Sequence, residues 1–501
     1  MSRKNILFLF TDQQRYDTIE AHGNPIIKTP ALNRLVESGV TFTRAYTSCP
    51  VCVPARYALM TGQLPHRTDC TANERMPDGR RSFMEILSQN GYQTHGVGKM
   101  HFTFADQGAE ALWGFESRDI SEEGGGEDDF KRFLNQNGYE HVHDPQGIRS
   151  EMYYIPQPSQ LPAHLHNTTW VVDRSIDFLE RRDQDRPFLL MSSFIKPHPP
   201  FETPTPWNKL YRGPEMPLPK RPMNGEELLT YWNRFQNRYK YRDQGVDDHL
   251  MRTMKAAYYC TISFIDYQIG RLLAYMEEHG LLKDTLIVFS SDHAELLGDY
   301  NSVGKRSFLD SAARIPLLVV DPDRTKGNER CNVPVSLVDV LPTFLQAAQI
   351  EPQEDYSGRS LLDIAEGKEQ RELTIAQYNR NEFGVYMAVT ERYKYIYSAP
   401  DNKEWLFDLQ VDPEETHNYF NNPMYKDQAD LMKRQLLELL RKDGCTSMID
   451  GDDWKRYEPQ QLPPGPDSLL LFQDPPASIP HIPGYERSFE INQSALFRTK
   501  F

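Results

Sequence analysis

Residues 47–62 concentrate the chemistry of this chain. Cys52-Val53-Pro54-Ala55-Arg56 is followed by Leu59-Met60-Thr61-Gly62. Pro54 has no N–H to donate and suits a first helical turn, and Ala55 to Met60 can propagate a helix, so the spacing predicts Cys52 at a helix N-terminus. The dipole and free N–H groups of such an end favour an anion, and Arg56, one turn on, adds a fixed positive charge. A sulfur nucleophile beside a positive helix end suits attack on a tetrahedral oxyanion. Two other readings share these residues. Cys49-Pro50-Val51-Cys52 spells C-x-x-C, a redox or zinc pattern, although neither a thioredoxin-like context nor a second ligand pair accompanies it. A buried structural cysteine is the other, and Pro54 and Arg56 weigh against it.

Four short apolar runs must position the partners of that cysteine. Ile6 to Phe10 leads into Asp12 and Gln13, and Tyr92 to Val97 into Lys99 and His101. Pro187 to Phe194 leads into Lys196 and His198, and Thr285 to Ser290 into Asp292 and His293. Such runs read as strands buried on both faces of a parallel sheet, and ligands gather beyond the carboxyl ends of those strands. Asp12, with Gln13 beside it, is placed to hold a metal, though an Asp there also starts an ordinary turn. Lys99 and His101, two apart in an extended segment, point the same way; a solvated lysine and a hydrogen-bonded loop histidine are the alternative. Prolines fix the loop of His198, and they also suit a plain surface turn. Asp292 and His293 form a second metal pair. Carboxylates suit hard divalent cations, whereas imidazole suits transition metals.

The remaining chain alternates helices with irregular stretches. Helices are expected from Thr29-Pro30, from an N-cap at Ser82, over Asn167 to Glu180, and over Met254 to Glu278. Residues 103–165 and 202–250 show no clear periodicity, and the acidic, Gly-rich stretch Glu122 to Asp129 is expected to be solvated. From about Leu373 the texture changes to antiparallel strands, Val385 to Val389 and Tyr393 to Tyr397, followed by a helix over Lys426 to Lys442. The expected organisation is a catalytic α/β domain over 1–372, an antiparallel subdomain over 373–444 and a Pro-rich extended tail over 445–501 that could reach a neighbouring subunit in a homo-oligomer.

Composition narrows the function classes. With 71 acidic against 56 basic residues the net charge is −15, which argues against nonspecific nucleic-acid binding but not against an anionic substrate held by a local basic cluster. Six cysteines in 501 residues do not make a disulfide framework. No apolar run is long enough for a membrane span and none reads as a signal peptide, so the cytoplasm is the default location, or the periplasm or exterior if a leader was trimmed.

Cys52-Val53-Pro54-Ala55-Arg56 with Leu59-Met60-Thr61-Gly62 resembles the signature of the type I sulfatases of the alkaline phosphatase superfamily. Further matching stretches follow in the family's order over nearly the whole chain. They are Thr29 to Tyr46, Gly98-Lys99-Met100-His101 (with Met100 for the family's Trp), Gly304-Lys305 before Arg314-Ile315-Pro316, and Trp405 to Asn418. The resemblance implies an α/β/α sandwich around a large, mostly parallel sheet with a small C-terminal antiparallel α+β subdomain, and the four strands ending in polar residues support that fold independently. It implies that Cys52 is oxidised to Cα-formylglycine by a formylglycine-generating enzyme. It implies one divalent metal on Asp12, Gln13, Asp292, His293 and the residue at position 52. Calcium is the first choice, and manganese or magnesium is the alternative. Gln13 departs from the acidic residue usual there, so one negative charge is missing, and the Asp292–His293 pair is found in branches resembling iduronate sulfatases, choline sulfatases and phosphonate monoester hydrolases.

The same resemblance assigns roles. Lys99 binds a sulfate oxygen, His101 contacts the formylglycine hydroxyl, His198 contacts sulfate and can protonate the leaving oxygen, and Lys305 bridges sulfate and leaving group. Arg56 joins Lys99 and Lys305 in stabilising equatorial charge, while Arg314 is expected to be structural. The function expected is hydrolysis of a sulfate monoester of a sugar, small alcohol or aryl group. The alternatives are phosphonate monoester or phosphodiester hydrolysis in the same pocket, and a non-catalytic carbohydrate-binding relative.

Overall fold

The computed structural model describes residues 3–123, 127–149, 153–240 and 247–462. Its centre is an eight-stranded sheet. In chain order the strands are β1 (Asn5–Asp12), β2 (Val40–Phe42), β3 (Gln93–Gly98), β4 (Ser117–Ile120), β5 (Phe188–Pro197), β6 (Thr285–Ser291), β7 (Leu317–Val320) and β8 (Glu329–Cys331). They lie in the order β8-β2-β7-β6-β1-β5-β3-β4. β7 runs antiparallel to both of its neighbours, and every other pairing is parallel.

The period-2 alternation of β1 sorts its side chains into two cores. Ile6, Phe8 and Phe10 pack with Phe83, Ile86 and Leu87 and with Val340, Leu341 and Phe344 on one face. Leu7 and Leu9 pack with Leu32 and Leu35, Trp170 and Val171, and Ile265, Ile269 and Leu272 on the other. The first layer holds helices α2 (Cys52–Thr61), α3 (Phe83–Gln89) and α6 (Val340–Ala347), and the second α1 (Pro30–Ser38), α4 (Asn167–Arg181) and α5 (Asp248–Glu278). Ser82 caps α3 by accepting from Glu85 N at 3.1 Å, as its position predicts. α5 begins earlier than its apolar stripe suggests, because Asp247 accepts from Leu250 N at 3.0 Å and sets the start there.

A second sheet of four antiparallel strands follows: β9 (Thr374–Tyr378), β10 (Val385–Val389), β11 (Tyr393–Ser398) and β12 (Lys403–Asp408). One face, with Met387, Ile396 and Phe407, packs on Tyr46, Val51 and Phe308 of the large domain. The other carries α7 (Lys426–Lys442) through Met432, Leu436 and Leu440. The stretch after Gly444 does not begin as a free tail. Asp453–Trp454 pairs with Ile449–Asp450, and Trp454 stacks on Tyr397 at 4.4 Å while donating to Tyr395 Oη at 2.7 Å. The rest of the expected tail, from 463 on, lies outside the described residues. Two stretches read as irregular also contain regular structure: the polar edge strand β4, and short helices over Asp129–Gln136 and Tyr231–Lys240. Among the described residues no helix is long and apolar enough to cross a membrane.

Candidate active site

Because β6, β1, β5 and β3 are adjacent and parallel, their carboxyl ends deliver Asp292 and His293, Asp12 and Gln13, His198, and Lys99 side by side. Gly98 is required at the β3 end: its φ is +86°, and a Cβ there would stand 2.1 Å from Ser193 O. Cys52 opens α2 and lies beneath this row, only 2% exposed. Its Sγ is 2.8 Å from Lys305 Nζ, 3.2 Å from His293 Nε2 and 3.9 Å from Asp12 Oδ1. Burial pushes the Cys52 thiol up, but Lys305, Lys99 and His293, with a hydrogen bond from His101, outweigh burial and hold it well below the usual thiol range.

Asp12, Cys52, Asp292 and His293 are all buried, and one donor atom from each lies within 4.8 Å of the others. His293 Nδ1 donates to Ala294 O at 3.1 Å, which leaves Nε2 as the lone-pair nitrogen facing Cys52 and Asp292 Oδ1, the latter 3.6 Å away. Burial and then the charge of Asp12 push Asp292 up, against the pull of His293 and Arg56. Gln13, at φ 69°, is fully buried, and its Oε1 has no hydrogen-bond partner among the described residues. Two carboxylates, an imidazole nitrogen and an amide oxygen without a partner among the described residues form a donor set that fits one divalent cation.

The expectation that Arg56 faces the substrate anion is not met. Its Nε and Nη2 reach Asp292 Oδ2 and Asp12 Oδ2, each at 3.1 Å, and Nη1 reaches Lys99 O at 2.7 Å. A fork so committed holds the two carboxylates in place rather than a ligand. The α2 N-terminus also offers an anion less than its dipole suggests, because Asn73 Oδ1 takes the Val53 N–H at 3.2 Å. Arg314 is structural as expected: it donates to Thr43 O at 2.8 Å and lies 3.8 Å over the Tyr16 ring.

Lys99 Nζ binds both Asp12 and Glu123. Despite burial, those two carboxylates, with Cys52, hold its ammonium well above the usual lysine range. Lys305 Nζ lies 3.2 Å from His198 Nε2. His198 Nδ1 donates to Pro199 O at 2.8 Å, so Nε2 is the acceptor facing Lys305. Burial and then Lys305 push His198 below its usual value, against the pull of Glu123 and Asp12. His101 sits at φ 59°, and its Nδ1 is buried without a hydrogen bond among the described residues. Glu122 fixes that bend by accepting from Met100 N at 2.9 Å and from His101 N at 3.0 Å.

The acidic stretch expected in solvent therefore turns inward at its start. Glu123 reaches Lys99, Arg149 at 3.2 Å and His198 at 3.7 Å, and these three hold its carboxyl well below the usual range despite burial. The three glutamates between Glu122 and Asp129 read as loop chemistry from composition alone, and only the tertiary cluster of cations draws Glu123 in. Glu295, three residues past Asp292, is the other site residue the sequence reading passed over; it is fully buried and bonded to Gln13.

Buried lysines, histidines and carboxylates gathered around one cysteine at the carboxyl edge of an α/β sheet are an arrangement suited to a tetrahedral oxyanion ester. A family model described as "Sulfatase" matches residues 4–350, and one described as "N-sulphoglucosamine sulphohydrolase, C-terminal" matches residues 298–442. The chain belongs to the sulfatase family, in the alkaline phosphatase superfamily. An arylsulfatase of Clostridium perfringens is 29% identical over 89% of this chain and 96% of its own length. The multifunctional alkaline phosphatase superfamily protein PehA of Trinickia caryophylli is also 29% identical, over 85% and 93%. The fold is shared with the phosphonate monoester hydrolase of Agrobacterium radiobacter at a TM-score of 0.78 and 23% identity, covering 91% of this chain and 100% of that one.

Proposed function

We propose that this enzyme hydrolyses a sulfate monoester of a sugar, small alcohol or aryl group through a formylglycine at position 52 and one divalent metal. The observation that carries the reading is the setting of Cys52: its Sγ is within 3.2 Å of both Lys305 and His293, inside the Asp12–Asp292 cluster. A cysteine 2% exposed cannot be reached by a maturation enzyme in the folded protein, so conversion belongs before the chain closes. Asp12, Gln13, Asp292 and His293 would hold the metal. Calcium is favoured by the carboxylates, and manganese comes next because of His293. The metal, when bound, lowers the pKa of the attacking hydroxyl and neutralises a sulfate oxygen.

The hydrated aldehyde carries two hydroxyls on one carbon. One, having lost its proton to solvent, would attack sulfur while the bond from sulfur to the alcohol oxygen breaks; loss of the second hydroxyl's proton would then restore the aldehyde and expel sulfate. Lys99 and His198 bind sulfate oxygens. Lys305, between position 52 and His198, protonates the departing alcohol oxygen. His101 takes the proton of the second hydroxyl. Arg56 holds Asp12 and Asp292 in place.

A second reading, hydrolysis of phosphonate monoesters or phosphodiesters, is motivated by Gln13 and His293 in the metal cluster, and a phosphonate monoester hydrolase shares the fold. Kinetics with an aryl sulfate and an aryl phosphonate monoester sharing one leaving group separate the two. A higher kcat/KM on the sulfate is expected, and a higher value on the phosphonate reverses the assignment. No turnover of either, in protein with formylglycine and metal verified, would leave a binding protein for sulfated saccharides.

A further inference from the structure

Gln13 stands where a carboxylate would serve a cation better, and the structure shows what stands behind it. Glu295 is fully buried. Its Oε2 accepts from Gln13 Nε2 and from Tyr154 Oη at 3.0 Å, and its Oε1 accepts from Leu297 N at 2.9 Å and from Gly304 N. Four donors from separate segments fix both oxygens. Gln13 itself has no freedom in its main chain: its N–H donates to Asp292 Oδ1 at 3.0 Å, and its C=O accepts from Tyr258 Oη at 2.7 Å. The open choice is which end of the carboxamide faces which way. A carboxylate accepts and does not donate, so turning the amide over would set its carbonyl oxygen against Glu295. The nitrogen is thus held on Glu295, and the oxygen is the end left buried and unpartnered.

We propose that Glu295 is a positioning residue for the cation site: it holds the Gln13 amide by its nitrogen and presents the carbonyl oxygen to the cation. A hydrogen bond from the amide N–H to a carboxylate draws electron density toward the carbonyl oxygen and makes it a stronger ligand. Tyr154 ties the same carboxylate to the segment that also brings Tyr153 to His198, so the cation site and the substrate side share one anchor. The inference rests on the metal-dependent reading of the site, and the test keeps the two apart.

The experiment is Mn²⁺ titration of the full-length, chelator-stripped protein by calorimetry and by electron paramagnetic resonance of free Mn²⁺. The proteins are wild type, Glu295→Gln, Gln13→Ala and the double variant, all made in one host so that position 52 is in the same state. Outer-shell partners typically change affinity by roughly 10–100-fold, and Glu295→Gln is expected to weaken Kd by that much. Because Glu295 acts through Gln13, the same substitution in the Gln13→Ala background should change Kd by less than about threefold. Wild-type affinity in a folded Glu295→Gln protein, or an equal loss in both backgrounds, overturns the proposal while leaving the metal reading intact. Absence of Mn²⁺ and Ca²⁺ binding by wild type overturns both. Should Glu295→Gln fail to fold, the swap Gln13→Glu with Glu295→Gln decides, because it keeps the number of buried carboxylates. Binding within about tenfold of wild type is expected, and a folded swap that binds no Mn²⁺ contradicts the assignment.

Discussion

Glu123 places a carboxylate oxygen against Lys99 and 3.7 Å from His198, the two groups proposed to bind the ester's sulfate oxygens. It answers the charge of the groups that a sulfate ester would otherwise answer. An incoming sulfate must displace it, and that displacement subtracts from binding without touching the bond-breaking step. Glu123→Gln is therefore expected to lower KM and to tighten inhibition by inorganic sulfate by roughly tenfold, with kcat held within a few-fold. Steady-state kinetics with sulfate as inhibitor check this. An unchanged inhibition constant, or a collapse of kcat, would contradict it. The neighbouring cations differ in kind. Lys305 sets its ammonium group between Cys52 and His198 and Lys99 between Asp12 and Glu123, whereas both ends of the Arg56 fork are taken by Asp12 and Asp292, a difference that residue type and spacing could not show because it depends on which carboxylates the fold brings to each cation.

At the scale of elements, the sheet was legible because strands buried on both faces are continuous apolar runs, and their polar ends fall at one edge once the strands are parallel. β4 was not legible: Ser117-Arg118-Asp119-Ile120 is a polar edge strand paired only to β3, with no apolar face to give it away. Nor was the inward turn of Glu122 and Glu123, which depends on partners far away in sequence, Arg149 and Lys99 among them. Helix α5 carries one further feature with a measurable consequence. Asp266 reaches across to the start of α1 and accepts from Leu32 N at 2.8 Å and Ala31 N at 3.1 Å. Burial, more than these bonds, sets its carboxyl, which is pushed up from 3.8 to about 7. The folded state thus keeps a proton that the unfolded chain gives up near 3.8, so the contribution of Asp266 to stability is fully present below that pH and is lost as the pH rises to about 7. The Tm of wild type relative to Asp266→Asn should fall between pH 4 and pH 8, a window taken from that shift. A difference that stays flat or rises over this range would contradict the assignment.

The whole molecule reconciles a net charge of −15 with a pocket for an anion by burying its cations where acidic partners are already spent on them. The small sheet is fastened to the large domain by apolar packing and by Lys394, fully buried, which pairs with Asp310 and with Glu415 at 2.6 Å. Cys52 is 2% exposed within this assembly. The organic half of the substrate is not legible in residues 103–165 and 202–250, because loop packing against the pocket has no sequence period to read.

The central claim is that Cys52 is the precursor of the nucleophile, and mass spectrometry of the tryptic peptide carrying it, from protein made in its native host, tests that claim most directly. Replacing the thiol by an aldehyde lowers the peptide mass by about 18 Da. The account predicts that loss at Cys52, with sulfate ester turnover in the same preparation. A plain thiol at Cys52 in protein that nonetheless turns over sulfate esters would contradict it, because a single sulfur has no second hydroxyl with which to release the sulfate.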